Sequence, residues 1–485
     1  MRSALPGSVR RLSLVLVLSA TADAFSLVAL LWYLTVSRAG AGALGALVLV
    51  AGLPAVGSGP LIGRWLERAP ARRLLAADNA ARAAILLTIA GLAAGGALCL
   101  PVLFILVGLT GLLSPVTYAG SRVLLPELVS ATQLVAANRL LAVGDQFPLL
   151  AGPAVAGVTA SLLGGAAALT VPAAALIAAA WAARRLPAPA PGRSARPAPA
   201  SLREPGPAGA PGEGRGHEAP AAPAAGRGPG RVLPGARGRG RWRTPAVQAL
   251  LALTGAYFLA YGPLEPAMPL YAHRTLHAGA VGYGALWSVF GAGALLGLLA
   301  VRPLARLRPG LVNAAGAALW GLVTLPLVVI SALPAALAVM FAGGLIWGPY
   351  GVIEVMTIQS VTPRSRHGTV FGVRRAIQVA ATPAGAAAGG LLLARLAPQA
   401  VIGIAAGACI LAGVAGLLYR PLRQLPRPPA TPRSRPRQPR GLPGRATGKR
   451  DLELNSIIRG AAARRTARPA RGRGADHADR LQADR

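Results

Sequence analysis

Apolar stretches of about twenty residues recur along this sequence, parted by short polar connections, and they leave few folds open. An α-helix needs roughly that length to cross ~30 Å of hydrocarbon, where every backbone N–H and C=O must be paired within the protein. A soluble chain of this length would have about a quarter of its residues charged. Here 13% are charged and 54% are hydrophobic. The 61 glycines and 43 prolines fit too, since bilayer helices tolerate both better than soluble ones. The expected class is an all-α membrane protein.

The first run, Leu12–Val36, follows Arg10 and Arg11. The apolar region of a signal peptide spans about 7–15 residues, so this longer run is read as an uncleaved helix 1. Further candidates lie near 41–62, 74–94, 97–118, 136–160 and 165–185, then 246–271, 279–301, 310–331, 335–358, 368–393 and 398–420. The expected organisation is a six-helix bundle over 1–186, a linker over 187–244, a second six-helix bundle over 245–420 and a tail over 421–485. Charge asymmetry tests the count independently. If the N-terminus is cytoplasmic, inner loops collect Arg64, Arg68, Arg72, Arg73, Arg122, Arg302, Arg306, Arg308, Arg364 and Arg366. The outer connections then hold Arg38, Arg274 and Arg395. Both termini and the linker are therefore expected in the cytoplasm, in a multi-pass protein of the cell (inner or plasma) membrane.

A net charge of +35 invites a nucleic-acid reading. Pro187–Thr244 holds ten Arg, and Pro421–Arg485 holds sixteen Arg and the lone Lys449. Both segments are too polar and Pro-rich to bury a core, so disordered cytoplasmic segments near anionic lipid headgroups are expected, with no nucleic-acid partner. Asp451–Ile458 hints at a short helix within the tail. Cys99 and Cys409 lie far apart and read as small core residues. Five His, no Gly-x-x-x-x-Gly-Lys-Ser/Thr and no Cys/His cluster at metal spacing leave no cofactor, metal or enzymatic chemistry to expect.

An internal repeat links the halves. Gly63, Arg68 and Arg72 after helix 2 reappear 234 residues on as Gly297, Arg302 and Arg306. Gly152 and Gly157 on helix 5 reappear 233 residues on as Gly385 and Gly390. Two parallel six-helix bundles related by pseudo-symmetry would place them so.

The loop from Gly63 through Glu67-Arg68 to Arg72 resembles the signature of the major facilitator superfamily, with Glu replacing Asp and the second Gly lost. Gly152-Pro153-Ala-Val-Ala-Gly157 resembles the helix 5 element of its proton-driven antiporters. Ala77-Asp78-Asn79, Leu125-Pro126-Glu127, Ala137-Asn138-Arg139 and Gln359-Ser-Val-Thr-Pro363 are similar to the macrolide-efflux and enterobactin-exporter-like branch. The resemblance implies twelve helices in two bundles, and a cytoplasmic gate of Gly63, Glu67, Arg68, Arg72, Asp78 and Arg82. Asp78 and Arg82, one turn apart, can also pair with each other.

An ionisable group inside the bilayer is costly unless it meets a cavity or a partner. Asp23 lies near the middle of helix 1 and is the first candidate for a proton or substrate site, ahead of Glu265. Glu265 stands between Pro263 and Pro266 toward the outer half, where water is expected to reach it. Asp145 and Glu354, nearer the cytoplasmic ends, are also cavity candidates, with pairing to a nearby Arg the favoured reading. Trp32, Tyr33 and Tyr271 read as interfacial aromatics; Trp347 and Tyr350 could be belt or pocket. The expected function is a proton-coupled exporter of small amphiphilic molecules, a monomer whose partners are substrate, protons and lipid. An importer or lipid flippase is the nearer alternative, and a non-transporting receptor or scaffold the more distant one.

Overall fold

The computed structural model describes residues 6–129, 133–187, 244–363 and 366–425. The linker, the tail and some side chains within helices, including those of Glu67 and Asp145, lie outside the described residues. The described chain is helical and forms twelve spans, with no strand among the described residues. The first half comprises α1 (Gly7–Val36), α2 (Ala41–Gly52 and Pro54–Arg68), α3 (Ala71–Ala94), α4 (Leu100–Leu113 and Pro115–Leu128), α5 (Leu134–Leu163) and α6 (Thr170–Arg184). The second comprises α7 (Pro245–Tyr261 and Leu264–Arg274), α8 (Ala280–Gly297, with short turns to Leu304), α9 (Pro309–Thr324), α10 (Leu333–Val361), α11 (His367–Leu393) and α12 (Pro398–Leu418). Eleven spans are long and apolar enough to cross a membrane, and α5 adds the shorter apolar stretch Phe147–Leu163.

Proline explains the interruptions. A proline ring removes one N–H and clashes with the carbonyl four residues back. Pro54 therefore divides α2, Pro115 divides α4, and Pro263 divides α7.

Glycine sets how closely the helices pack. A Cβ at Gly152 would lie 2.8 Å from Ala24 of α1, and one at Gly385 would lie 3.0 Å from the Cα of Gly262 on α7. The first is shorter than real Cβ atoms keep, and the second is tighter than nearly all of them show. Gly157 meets Gly284 of α8 at 3.2 Å in the same construction, and Gly390 meets Gly45 of α2 at 2.9 Å. The repeated glycine pairs thus do equivalent jobs. The first of each pair seats α5 or α11 on its own half, and the second seats it on the opposite half.

A third echo at the same sequence offset carries a matching hydrogen bond. Asn79 on α3 donates to the Leu75 carbonyl at 2.7 Å, and Asn313, 234 residues on, donates to the Pro309 carbonyl at 2.9 Å. The two halves meet at the end away from the termini. There Trp32 of α1 stacks on Tyr283 of α8 at 5.9 Å and lies edge-on to His273 of α7 at 5.8 Å.

Two expectations are corrected. Trp32 and Tyr271 are not lipid-facing belt residues; both are buried, and Tyr271 donates to the Ile330 carbonyl at 2.7 Å. Cys99 is exposed before α4 rather than part of the core, whereas Cys409 is buried.

Candidate functional site

The sequence presents Asp23 as an isolated acid, and the structure gives it a cation. Asp23 forms an ion pair with Arg82 of α3. The same guanidinium donates to Ser19 Oγ at 3.0 Å and lies 3.7 Å from Asp78 Oδ2. Asp78 in turn accepts from Thr117 Oγ1 of α4 at 2.6 Å, and Asn79 donates to that hydroxyl at 2.9 Å. Arg82 and Asp78 are fully buried, while the Asp23 side chain remains 47% exposed.

That exposure is informative because of where α1 sits. It packs against α2, α4, α5 and α6 of its own half and against α7 and α8 of the other. A half-exposed carboxylate near the middle of a helix so enclosed faces space inside the bundle. Buried charges need partners because desolvation costs several kcal/mol per ion, and this network supplies a cation to both acids. Arg82 Nε and Asp78 Oδ1 keep no hydrogen-bond partner among the described residues, so the network holds unused pairing capacity.

The second half carries its own buried pair. Glu354 of α10 is fully buried, bonded to Arg374 Nη2 of α11 at 2.7 Å and to Thr254 Oγ1 of α7 at 2.5 Å. Arg374 also donates to Gln378 at 3.3 Å. These contacts tie three helices into one unit. The sequence reading names Glu354 but misses Arg374. The missed signal is the pair Arg374–Arg375 inside the apolar run of α11, which the same rule on buried charge would have flagged.

Glu265 is partly buried rather than open to water at the surface, and it accepts from Tyr261 Oη at 2.9 Å. Tyr261 belongs to an aromatic cluster that sequence spacing does not reveal. Its ring lies 5.6 Å from Trp347 and 5.4 Å from Trp320, while Tyr257 lies 4.9 Å from Tyr350. Phe258 and Trp347, 5.5 Å apart, are only partly buried and form the cluster's accessible edge. Tyr350 is thus buried in the protein interior, and Trp347 packs at the edge of its cluster. Offset and edge-to-face rings at such distances add about 0.5–1.5 kcal/mol per pair beyond their buried area.

Of the residues read as a gate, Arg68 is exposed in the last turn of α2, and Arg72 donates to the Leu186 carbonyl at 3.4 Å, beyond the end of α6. Gly63 lies on α2 with its surroundings outside the described residues, as do the side chains of Glu67 and Asp145. Asp78 and Arg82 are joined to Asp23, Ser19 and Thr117 within the first half. Gly152, Pro153 and Gly157 lie where α5 meets α1 and α8.

The family model described as Major Facilitator Superfamily matches residues 12–381. The chain belongs to that superfamily. The major facilitator fold extends across solved structures of low identity. The nucleoside transporter NupG shares 12% identity at a TM-score of 0.60, covering 85% of this chain and 98% of that one. A bacterial homologue of the iron transporter ferroportin in an inward-facing state shares 16% at 0.61, covering 86% and 99%. A bacterial metal transporter shares 14% at 0.58, covering 86% and 99%. No curated protein sequence matches significantly. This facilitator is a multi-pass secondary transporter, and its buried ion pairs are to be understood in that light.

Proposed function

We propose that this transporter is a proton-coupled exporter of small amphiphilic molecules, with Asp23 and Arg82 as the coupling pair. The observation that carries the reading is a half-exposed carboxylate, deep in the bundle, whose only ion-pair partner among the described residues is a fully buried arginine. Protonation of Asp23 would neutralise it and free Arg82, and Asp78, already 3.7 Å away with an unused oxygen, would take the cation. Proton loading would thus shift Arg82 between two acids on different helices. Shifting a buried pair changes which helices are tied together, which is how a local charge event biases a two-state element. The accessible ring edges of Phe258 and Trp347 suit the apolar face of an amphiphile, and the charged network suits its polar group. The likeness of several short motifs to the macrolide-efflux and enterobactin-exporter-like branch supports export.

The arginine asymmetry supports cytoplasmic termini, which makes the end closed by Trp32, Tyr283, Gly157 and Gly284 the outer one. A closed outer end is the arrangement expected of a conformation that loads substrate from the cytoplasm. Cysteines introduced at position 215 and at the C-terminus should resist a membrane-impermeant maleimide in intact cells and react after permeabilisation. Labelling of either from outside would reverse the orientation.

The direct test of coupling is flux in proteoliposomes under an imposed pH gradient. Asp23→Asn keeps an acceptor for Arg82 but cannot exchange a proton. It should insert normally, still pass substrate downhill, and lose accumulation against a gradient by at least tenfold. Wild-type uphill transport with an unchanged pH profile in Asp23→Asn would remove Asp23 from coupling and leave Glu265, with its Tyr261 partner, as the acid to examine.

A further inference from the structure

A second cluster of cations lies at the end of the bundle away from the termini and takes no part in the site above. A pocket of about 420 Å³ opens there between the two halves. The first half contributes Arg38, from the four-residue connection between α1 and α2, and the start of α2 at Gly40 and Ala41. The second contributes His273 and Arg274 from the last turn of α7. No acid lines the pocket among the described residues.

Three features of this pocket point the same way. Neither the Arg38 nor the Arg274 side chain, both exposed, has a hydrogen-bond or ion-pair partner among the described residues, and both line one space. Two guanidinium groups from opposite halves thus face one pocket with no carboxylate among its lining residues, and an anion between them gains two attractions. Arg38 also adopts a left-handed backbone, with φ +54°. That conformation is uncommon for a residue with a side chain, and it commonly marks positions where surrounding structure dictates the geometry. Gly40 supplies no capping side chain to α2, so the leading N–H groups of that helix add donors beside the arginines.

We propose that this pocket is an anion site that takes a phosphate-type group and bridges the two halves. The planar donor fork of arginine matches the oxygens of phosphate, and donors from both halves would surround one ligand. A free phosphate ion and the headgroup of an anionic phospholipid share this chemistry. Because the partners come from different halves, the site is complete only while this end of the bundle is closed. Ligand binding and closure therefore reinforce each other by linkage. The site is independent of the transported substrate and of the coupling acid.

The experiment uses the full-length protein in detergent, titrated with inorganic phosphate at constant ionic strength and followed by thermal melting. A parallel series compares nanodiscs of phosphatidylglycerol with nanodiscs of phosphatidylcholine. The melting temperature should rise saturably with phosphate or with the anionic lipid. Arg38→Gln and Arg274→Gln should each weaken the apparent affinity at least about tenfold, since each removes a charge-assisted contact. Their ligand-free melting should match wild type, because neither side chain supports the fold. Spin labels at positions 37 and 277 should report a narrower, shorter distance distribution in the presence of inorganic phosphate or phosphatidylglycerol. A response to phosphate assigns the site to a soluble anion, and a response to phosphatidylglycerol alone assigns it to a lipid headgroup. The proposal fails if neither ligand shifts melting, if both variants respond like wild type, or if only one of the two arginines matters.

Discussion

Arg82→Met should insert yet melt at a much lower temperature, with a loss of about 3–5 kcal/mol, the range for removing one partner from a buried ion pair. The change strips the cation from two acids at once. Asp23, with its side chain 47% exposed, can recover some hydration, but Asp78 is fully buried and keeps only its hydrogen bonds to Thr117. The loss should therefore fall mainly on Asp78. Adding Asp78→Asn and Asp23→Asn to Arg82→Met removes every charge from the network. That triple variant should recover most of the lost thermal stability, since neutral replacement of a whole buried network is often tolerated. It should remain unable to accumulate substrate against a gradient. Thermal melting in detergent reads the first effect and vesicle flux the second. Wild-type melting of Arg82→Met would show that the first half is not organised around this guanidinium.

Gly284→Val should abolish transport while leaving insertion intact. A Cβ at Gly284 would lie 3.0 Å from the Cα of Gly157 and closer still to the Pro153 carbonyl. Both are backbone atoms, which cannot swing aside as a flexible side chain would. The two halves would have to part at this end, and the conformation described here would lose its seal. Gly390→Val should act in the same way, because its Cβ would meet the Gly45 Cα at 2.9 Å. Gly407→Val on α12 is the control, since nothing lies within 4 Å of a Cβ there. Flux should fall more than tenfold in the first two variants and change little in the control. A cysteine at position 280 should also become more reactive toward an impermeant maleimide in Gly284→Val. Undiminished flux in that variant would mean that transport does not require this closure.

Helix existence was legible in the sequence, and helix limits nearly so. The expected span 398–420 is α12 at Pro398–Leu418, and 368–393 is α11 at His367–Leu393. The largest shift is in α4, which runs past the expected residue 118 to Leu128, and α2 likewise continues past 62 to Arg68. Its last turns carry Arg64, Glu67 and Arg68, and a hydropathy reading stops where charge begins, although the backbone remains helical. The glycine repeat was legible as well, because close helix approach admits no side chain and only glycine leaves that mark.

The site was less legible. Asp23, Arg82 and Asp78 each stand out as charges in apolar helices, but their grouping depends on how α1 and α3 are rotated about their axes. Arg82 could satisfy Asp78 one turn away on its own helix, so the sequence offers a local partner and hides the distant one. The aromatic cluster follows the same logic. Tyr257, Trp320, Trp347 and Tyr350 come from three helices, and in an apolar solvent the identity of a residue does not say whether it faces lipid or protein. Trp32 near a helix end suits either a headgroup belt or a stack on Tyr283, and only the neighbouring half decides between them.

By itself the sequence determined the number of spans, their lengths and the glycine positions that halves of this kind share. The bilayer imposes a length on every helix, and unpaired backbone is too costly there for other solutions. Tertiary structure alone decided which charges pair, which aromatics are buried and which end is closed. Those outcomes depend on helix rotation and on contact between segments hundreds of residues apart, where packing and desolvation act on several helices at once.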